Sequence, residues 1–411
     1  MITVFGTGTG APVPADALAG ARLVVGGRRH LASAPVPEDA EQVELGPLAP
    51  ALDIIERHLD KQQRVVVLAS GDPGFFGIVR ALAERFGSER LDVRPGVSSV
   101  AAAFARLGLT WDDAVVVSAH GRELRTAVNV CRARPKVAVL TGPGAGPAEL
   151  GAALRADARV LVVASALGSA EERVERVTPA EAAARDWGTS VSVVLCLDGT
   201  RVLGAAARTV AGPGAGPARW ALDEDEFTHR DSMITKFEVR ALALARLGPR
   251  LGDHVWDIGA GSGSVAVECA RFGAAVTAVE KTRDGVERVR ANAAAHGVDV
   301  RAVHGAAPTV LSDLDDPDAV FVGGGGRELP AIVTACARRA RRTVVVAMAA
   351  LDRVPAVRAA LTGAGLSCDG VLLQSSRLAP LPGDVTRLAA TNPVFLLWGF
   401  RTPGSHEGVA L

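Results

Sequence analysis

Apolar residues recur along this chain in short β-branched runs, each followed by a turn and then by a segment with helical spacing. In the first half the runs are ITVFG (2–6), RLVVGG (22–27), RVVVLAS (64–70), AVVVSAH (114–120), VAVLT (137–141), VLVVAS (160–165) and VSVVLCL (191–197). Helical segments such as GIVRALAERF (77–86) and SVAAAFARLG (99–108) lie between them. Continuous apolar runs of this length, alternating with helices, predict parallel strands covered on both faces.

The stretch GAAARTVAGPGAGPAR (204–219) breaks the alternation and reads as an inter-domain linker over 204–220. The pattern then restarts with greater regularity. Strands are predicted at 253–259, 274–280, 298–305, 318–324, 342–349, 367–376 and 393–400, and helices at 264–272, 283–296, 328–341 and 353–363. The expected fold class is α/β, with the second half forming a doubly wound sheet that ends in an antiparallel hairpin. Two domains, 1–203 and 221–411, follow from this punctuation.

Composition narrows the function. Forty-five basic residues balance 45 acidic ones, and aromatics make up 4% of the 411 residues, with no Tyr. A nucleic-acid partner therefore has neither a charge excess nor a stacking platform to use. The Arg excess, 41 against 4 Lys, accompanies abundant Ala and Gly and is read as codon usage. The five cysteines fall without metal-ligand spacing, so a reduced, cytoplasmic chain with no metal site is expected. MITVFGTGTG does not read as a signal peptide, and no apolar run is long enough to span a membrane.

The sharpest chemical signal is DIGAGSGSV (257–265). A dinucleotide turn needs G-x-G-x-x-G/A, but Gly259, Gly261 and Gly263 place the third glycine one residue early. That spacing favours S-adenosylmethionine. Asp257 is then the acceptor for its ammonium, directly or through water. Backbone N–H groups around Ala260, Ser262 and the helix start suit its carboxylate. Glu280, ending the next strand, suits the ribose hydroxyls. The other glycine run, GTGTG (6–10), is followed by Pro12 and Pro14, which do not fit the helix a dinucleotide site requires.

Two resemblances sharpen these readings. DEDEFTHRDSMITKFEVRALALARLGPRLGDHVWDIGAGSGSVAVE, AVEKTRDGVERVRANAAAHGV, DAVFVGGGGRELPAIV and TNPVFLL resemble the decarboxylating methyltransferase domain of cobalamin biosynthesis. The resemblance implies a Rossmann-like class I methyltransferase sheet with the donor over the glycine turn. Thr235 and the segment after the third strand, including Ala307, would close over it, with Gly324 and Gly325 toward the substrate. An acidic residue usual in the GDAP of that family is absent here, where the chain reads Gly305-Ala306-Ala307-Pro308.

In the first half, GTGTG, ADALAGARLVVGGRRHL, ASGDPGFFGIVRAL, VRPGVSSVAAAFARLGLTWDDAVVVSAHGR and VLTGPGAGPAEL resemble the tetrapyrrole methylase family. That implies a two-subdomain fold with a second S-adenosylmethionine in its cleft, lined by Gly71, Asp72, Pro73, Phe76, Ser98 and Ser99. RPGVSSV stands where PAVSSV is more usual.

Together the resemblances imply two donor sites per chain and a reduced tetrapyrrole substrate. It would be methylated at carbons 5 and 15 and lose the carbon 12 acetate carboxyl as carbon dioxide. They also imply a homo-oligomer. Arg28, Arg29, His120 and Arg122 follow strands and are candidates for binding substrate carboxylates. No catalytic acid is identified; His229, Arg230 and Lys236 are candidates. The rival readings are a fusion that methylates RNA or protein and a chain with a non-catalytic first domain.

Overall fold

A computed structural model describes residues 1–9, 12–188, 192–202, 210–212, 216–230 and 234–401. The chain divides into two compact units, one built on residues 1–127 and 135–213, the other on 128–134 and the remainder. The division falls inside the stretch 204–220; residues 204–209 and 213–215 of it lie outside the described residues.

The first unit holds two five-stranded sheets. Strands β1 (Ile2–Thr7), β2 (Leu23–Gly26), β3 (Glu41–Glu44), β4 (Val65–Ser70) and β5 (Leu91–Arg94) form an all-parallel sheet in the order β3-β2-β4-β1-β5. The central strands are the continuous apolar runs. Ile2, Val4, Leu23, Val25, Val65 and Val67 pack on one face with Ile55 and Leu82, and Val24, Val66 and Leu68 pack on the other with Leu18. Each such side chain, fully buried, contributes about 1.5–3 kcal/mol. The edge strands β3 and β5 carry few apolar residues, which is why the apolar pattern passes over them.

The second sheet corrects the all-parallel expectation. Its strands are β6 (Val115–Ser118), β7 (Lys136–Leu140), β8 (Val160–Ser165), β9 (Arg173–Val177) and β10 (Ser192–Leu197), in the order β6-β7-β10-β8-β9. Only β6 and β7 are parallel; β10 runs antiparallel to β7 and β8, and β9 to β8. Burial on both faces makes β10 read like a parallel strand, although its direction is reversed.

The second unit follows its sequence expectation closely. Strands β11 (His254–Ile258), β12 (Ala275–Glu280), β13 (Arg301–His304), β14 (Ala319–Val322), β15 (Thr343–Met348), β16 (Ser367–Leu373), β17 (Ser376–Leu381), β18 (Val385–Ala390) and β19 (Val394–Phe400) complete the set described. Seven form one sheet in the order β13-β12-β11-β14-β15-β19-β16. The first five are parallel, and β19 inserts antiparallel between β15 and β16. Period-two alternation assigns the faces. Trp256, Ile258, Val320 and Val344 pack against helices Leu329–Arg339 and Val354–Gly363. Val255, Phe321 and Val345 pack against helices Phe237–Leu247, Ser264–Arg271 and Arg283–Ala295. Between β16 and β19 the sequence reading has only a short connection, whereas the chain forms a second, separate hairpin, β17–β18.

Candidate active sites at two sheet edges

In the second unit, the turn from β11 into helix Ser264–Arg271 needs its three glycines. Gly259, Gly261 and Gly263 have φ of 73°, 59° and 72°, in the left-handed region that side chains disfavour. At Gly259 a Cβ would also lie 3.1 Å from the backbone of Gly324, in the turn after β14. Two backbone turns thus close on one another at the C-terminal sheet edge, where open α/β sheets bind ligands.

Glu280 braces this turn. Its carboxylate accepts from the Gly261 N–H at 3.1 Å and from the Thr282 N–H and Oγ1, both at 2.9 Å. Gly285 leaves room for it, since a Cβ there would sit 2.4 Å from the Glu280 Cγ. Glu280 lines two cavities. The larger, about 620 Å³, is bounded by Gly259, Ala260, Gly261, Ser262, Thr235 and Met348, with Arg230, Lys236, Lys281 and Arg288 as its cations. The smaller, about 310 Å³, is an aliphatic slot of Ile258, Val279, Ala306, Ala307 and Ile332, closed by Gly324, Gly325 and Glu328.

Asp257 is placed differently from the expectation. It shares the inward face of β11 with Val255 and is 1% exposed, lining neither cavity. Its Oδ2 accepts from the Ala266 N–H at 3.0 Å. Burial raises its pKa to about 7, the Ala266 hydrogen bond opposing this and the nearby Glu280 adding to it. Asp257 therefore fastens the first turn of helix Ser264–Arg271 through the Ala266 N–H.

Several residues that the sequence reading missed hold the stretches 222–230 and 234–240, which supply Arg230, Thr235 and Lys236 to the larger cavity. Arg240, fully buried, donates to the carbonyls of Leu222 and Thr235. The buried Glu268 accepts from the Leu222 N–H at 2.6 Å and pairs with Arg271 at 3.0 Å. Asn292 spans from Thr228 to the carbonyl of Ser262 in the glycine turn, with Nδ2 bonds of 2.9 and 2.7 Å. Arg377, at the base of β17, grips Glu224 and Glu238 through four hydrogen bonds of 2.7–2.9 Å. That grip holds the Glu224 carboxyl down at about 2 and raises the Arg377 guanidinium.

In the first unit, three turns converge at the C-terminal ends of β1, β4 and β5. A Cβ on Gly6 would lie 2.1 Å from the Gly71 carbonyl and 2.3 Å from the Gly96 nitrogen. Gly71 donates to Thr7 at 2.7 Å, and Gly96 donates to Gly71 at 3.1 Å. In the Gly71-Asp72-Pro73 turn, Asp72 accepts from the Gly74 N–H at 2.8 Å. Ser98 caps helix Ser99–Leu107 by accepting from Ala101. Phe76 has φ 54°, is 50% exposed, and lies beneath the Arg122 guanidinium, 5.6 Å from its ring centre. A bulky residue held there is local strain of the kind found at functional sites. His120 contributes to a separate cavity of about 400 Å³ with Thr141, Gly142 and Trp187. Of the two candidate arginines after β2, Arg28 is spent on a surface pair with Glu44, whereas Arg29 reaches Ser70 at 2.7 Å.

Residues 1–183 match the Tetrapyrrole (Corrin/Porphyrin) Methylases, and residues 225–397 match the Precorrin methyltransferase domain. A Sinorhizobium protein, "Precorrin-6Y C(5,15)-methyltransferase [decarboxylating]", is 37% identical over 76% of this chain and 74% of its own length. The chain belongs to this family of precorrin-6Y C(5,15)-methyltransferases. Two further relatives match a part each. A probable cobalt-precorrin-6B C(15)-methyltransferase (decarboxylating) from Pyrobaculum calidifontis is 37% identical over 41% of this chain and 88% of its own. A cobalt-precorrin-7 C(5)-methyltransferase from Salmonella typhimurium is 33% identical over 47% of this chain and 98% of its own.

Within this precorrin-6Y methyltransferase family member, the three catalytic candidates separate. Arg230 and Lys236 line the larger cavity, and His229 does not. His229 is half-buried, with Nδ1 shielded from solvent. Ala306 and Ala307 form part of the slot wall, so the acid missing from that loop leaves an aliphatic surface, with Glu328 the further carboxylate on the slot besides Glu280. No helix among the described residues is long and apolar enough to cross a membrane.

Proposed function

We propose that the chain methylates precorrin-6Y at carbons 5 and 15 and removes the carboxyl of its carbon 12 acetate as carbon dioxide, giving precorrin-8X. The observation that carries this reading is the larger cavity of the second unit. A glycine turn and Glu280 form one wall, and Arg230, Lys236, Lys281 and Arg288 line the same space. A methyl donor and a polycarboxylate acceptor need that combination.

The residues fit S-adenosylmethionine. The glycine turn lines the larger cavity, its Gly259 packed too closely against Gly324 for a Cβ, and Glu280 lines both cavities. The aliphatic slot of Ile258, Val279 and Ala307 suits a purine, and Thr235 lines the larger cavity together with the turn. Bound there, the donor supplies an electrophilic methyl on a sulfonium, and the protein's part is orientation. Arg230 and Lys236 hold substrate carboxylates and set which ring carbon faces the methyl. In the first unit, Gly71, Asp72, Pro73, Phe76, Ser98 and Ser99 hold a second donor, with Arg122 and His120 toward the substrate. This makes two donor sites per chain.

In this reading the second unit carries out carbon 15 methylation and decarboxylation and the first carbon 5 methylation, a division supported by the names of the relatives that match a part each. The β17–β18 hairpin supports a homo-oligomer. Its cross-strand partners Leu378 and Leu388 are 79% and 67% exposed and form an apolar strip that a second copy would cover. Light scattering of Leu378→Asp is expected to give a smaller species than wild type; an unchanged mass removes the hairpin from the interface.

Donor binding is tested by titrating the full chain with S-adenosylhomocysteine. Two equivalents are expected. Gly259→Ala should weaken one at least tenfold, about 1.4 kcal/mol, and Gly6→Ala the other by as much. A single equivalent that Gly6→Ala leaves untouched would remove the first unit from the chemistry.

A further inference from the structure

Three side chains meet at the C-terminal edge of the first sheet, beside the Gly71-Asp72-Pro73 turn. Ser70, the last residue of β4, is exposed, and its Oγ lies 2.9 Å from the Nε2 of His30. Arg29 donates to the same Oγ at 2.7 Å and also points Nε at His30 Nε2, 3.4 Å away. His30 is 5% exposed, and its Cε1 would lie 2.9 Å from a Cβ on Gly8, in the turn after β1.

We propose that Ser70 and His30, polarised by Arg29, take up the proton that the tetrapyrrole must lose when the first unit methylates it. The inference rests on the function proposed above. Methylation of a ring carbon that carries hydrogen leaves one proton too many. The ring π pair forms the bond to the methyl carbon, and the carbon–sulfur bond of the donor breaks with its pair on sulfur. The carbon–hydrogen bond then breaks, and its pair returns to the ring. The proton passes to Ser70 Oγ as the hydroxyl proton moves to His30 Nε2, which becomes an imidazolium; once product leaves, the exposed Ser70 Oγ passes its proton to water and takes the other back from His30. Methyl transfer itself needs positioning alone, but this last step needs an acceptor, and a placed base contributes typically 10²–10⁴-fold.

The geometry assigns the roles. Arg29 has only donors, so Ser70 Oγ accepts from it and its own hydrogen is directed at His30 Nε2. That nitrogen must then be the acceptor, and the ring carries its proton on Nδ1. Burial first, and the Arg29 charge second, hold His30 down at about 4, so the ring is neutral at physiological pH and readily gives up a proton it has taken. Arg29 is the charged group facing the ring, on its own helix Arg28–Ser33; Ser70 faces it from β4 and Gly8 from the turn after β1. A guanidinium on Ser70 Oγ also stabilises negative charge building there as the proton leaves.

The test uses the full chain with precorrin-6Y and product mass as the readout. Ser70→Ala changes an exposed hydroxyl and leaves the core untouched. It is expected to lower kcat for the first unit's methylation about 100-fold, with the Kd for S-adenosylhomocysteine unchanged. The product should accumulate decarboxylated and one methyl short. Ser70→Thr, which keeps the hydroxyl, should restore most of the rate, and His30→Gln should remove the acid limb of its pH profile. In the unliganded chain, nitrogen-15 shifts should show His30 neutral with the Nδ1–H tautomer at pH 6. Full kcat in Ser70→Ala, or a loss confined to binding, overturns the inference and leaves the function standing. Wild type adding neither methyl overturns both.

Discussion

Asp257 separates what a motif states from what a side chain does. Its place before the glycines suggests a ligand contact, yet period-two alternation turns it into the sheet–helix layer, where it holds Ala266. Because its folded pKa is raised to about 7 from an ordinary value near 4, the folded state binds more protons than the unfolded one between those values. Stability contributed by this group therefore falls as pH rises from about 4 to 7. Asp257→Asn keeps an acceptor for Ala266 and should flatten that slope in urea melts at stepped pH. An unchanged slope would place the charge elsewhere. The glycines and Glu280 were legible because backbone sterics and strand ends leave local marks in sequence. Ser70 was not, because its partner His30 lies 40 residues away.

Strands and helices with continuous apolar or 3.6-period patterns were legible nearly to their ends, since burial alone shapes them. The polar edge strands β3 and β5 and the exposed hairpin β17–β18 carry no such pattern. That hairpin brings Arg377 to Glu224 and Glu238 across 153 and 139 positions, a contact with no local signal. The grip also ties down Phe237, whose N–H donates to Glu224 at 2.9 Å, next to Thr235 and Lys236. Arg377→Met should weaken S-adenosylhomocysteine binding in the second unit about tenfold and leave the first unit's affinity unchanged. Calorimetry on the full chain resolves the two; equal affinities in variant and wild type would make the grip purely structural. Glu224 is held at about 2 in the folded chain, so the stability it contributes is complete above its ordinary value of 4.5 and lost as pH falls from there through 2.

At the scale of the whole chain, two methylase folds of different architecture each close backbone turns at a sheet edge. The resemblances read from motifs along both halves agree with the matched families over residues 1–183 and 225–397. The relative orientation of strands in the second sheet was the largest misreading, because buried strands look alike whichever way they run. The central claim is that one chain performs two methylations and a decarboxylation. Incubating it with precorrin-6Y and S-adenosylmethionine labelled with carbon-13 in the methyl group tests this directly by mass spectrometry. The account predicts a product that has gained two labelled methyl groups and lost one carbon dioxide. A product with a single label, or with both labels and every carboxyl intact, would contradict it.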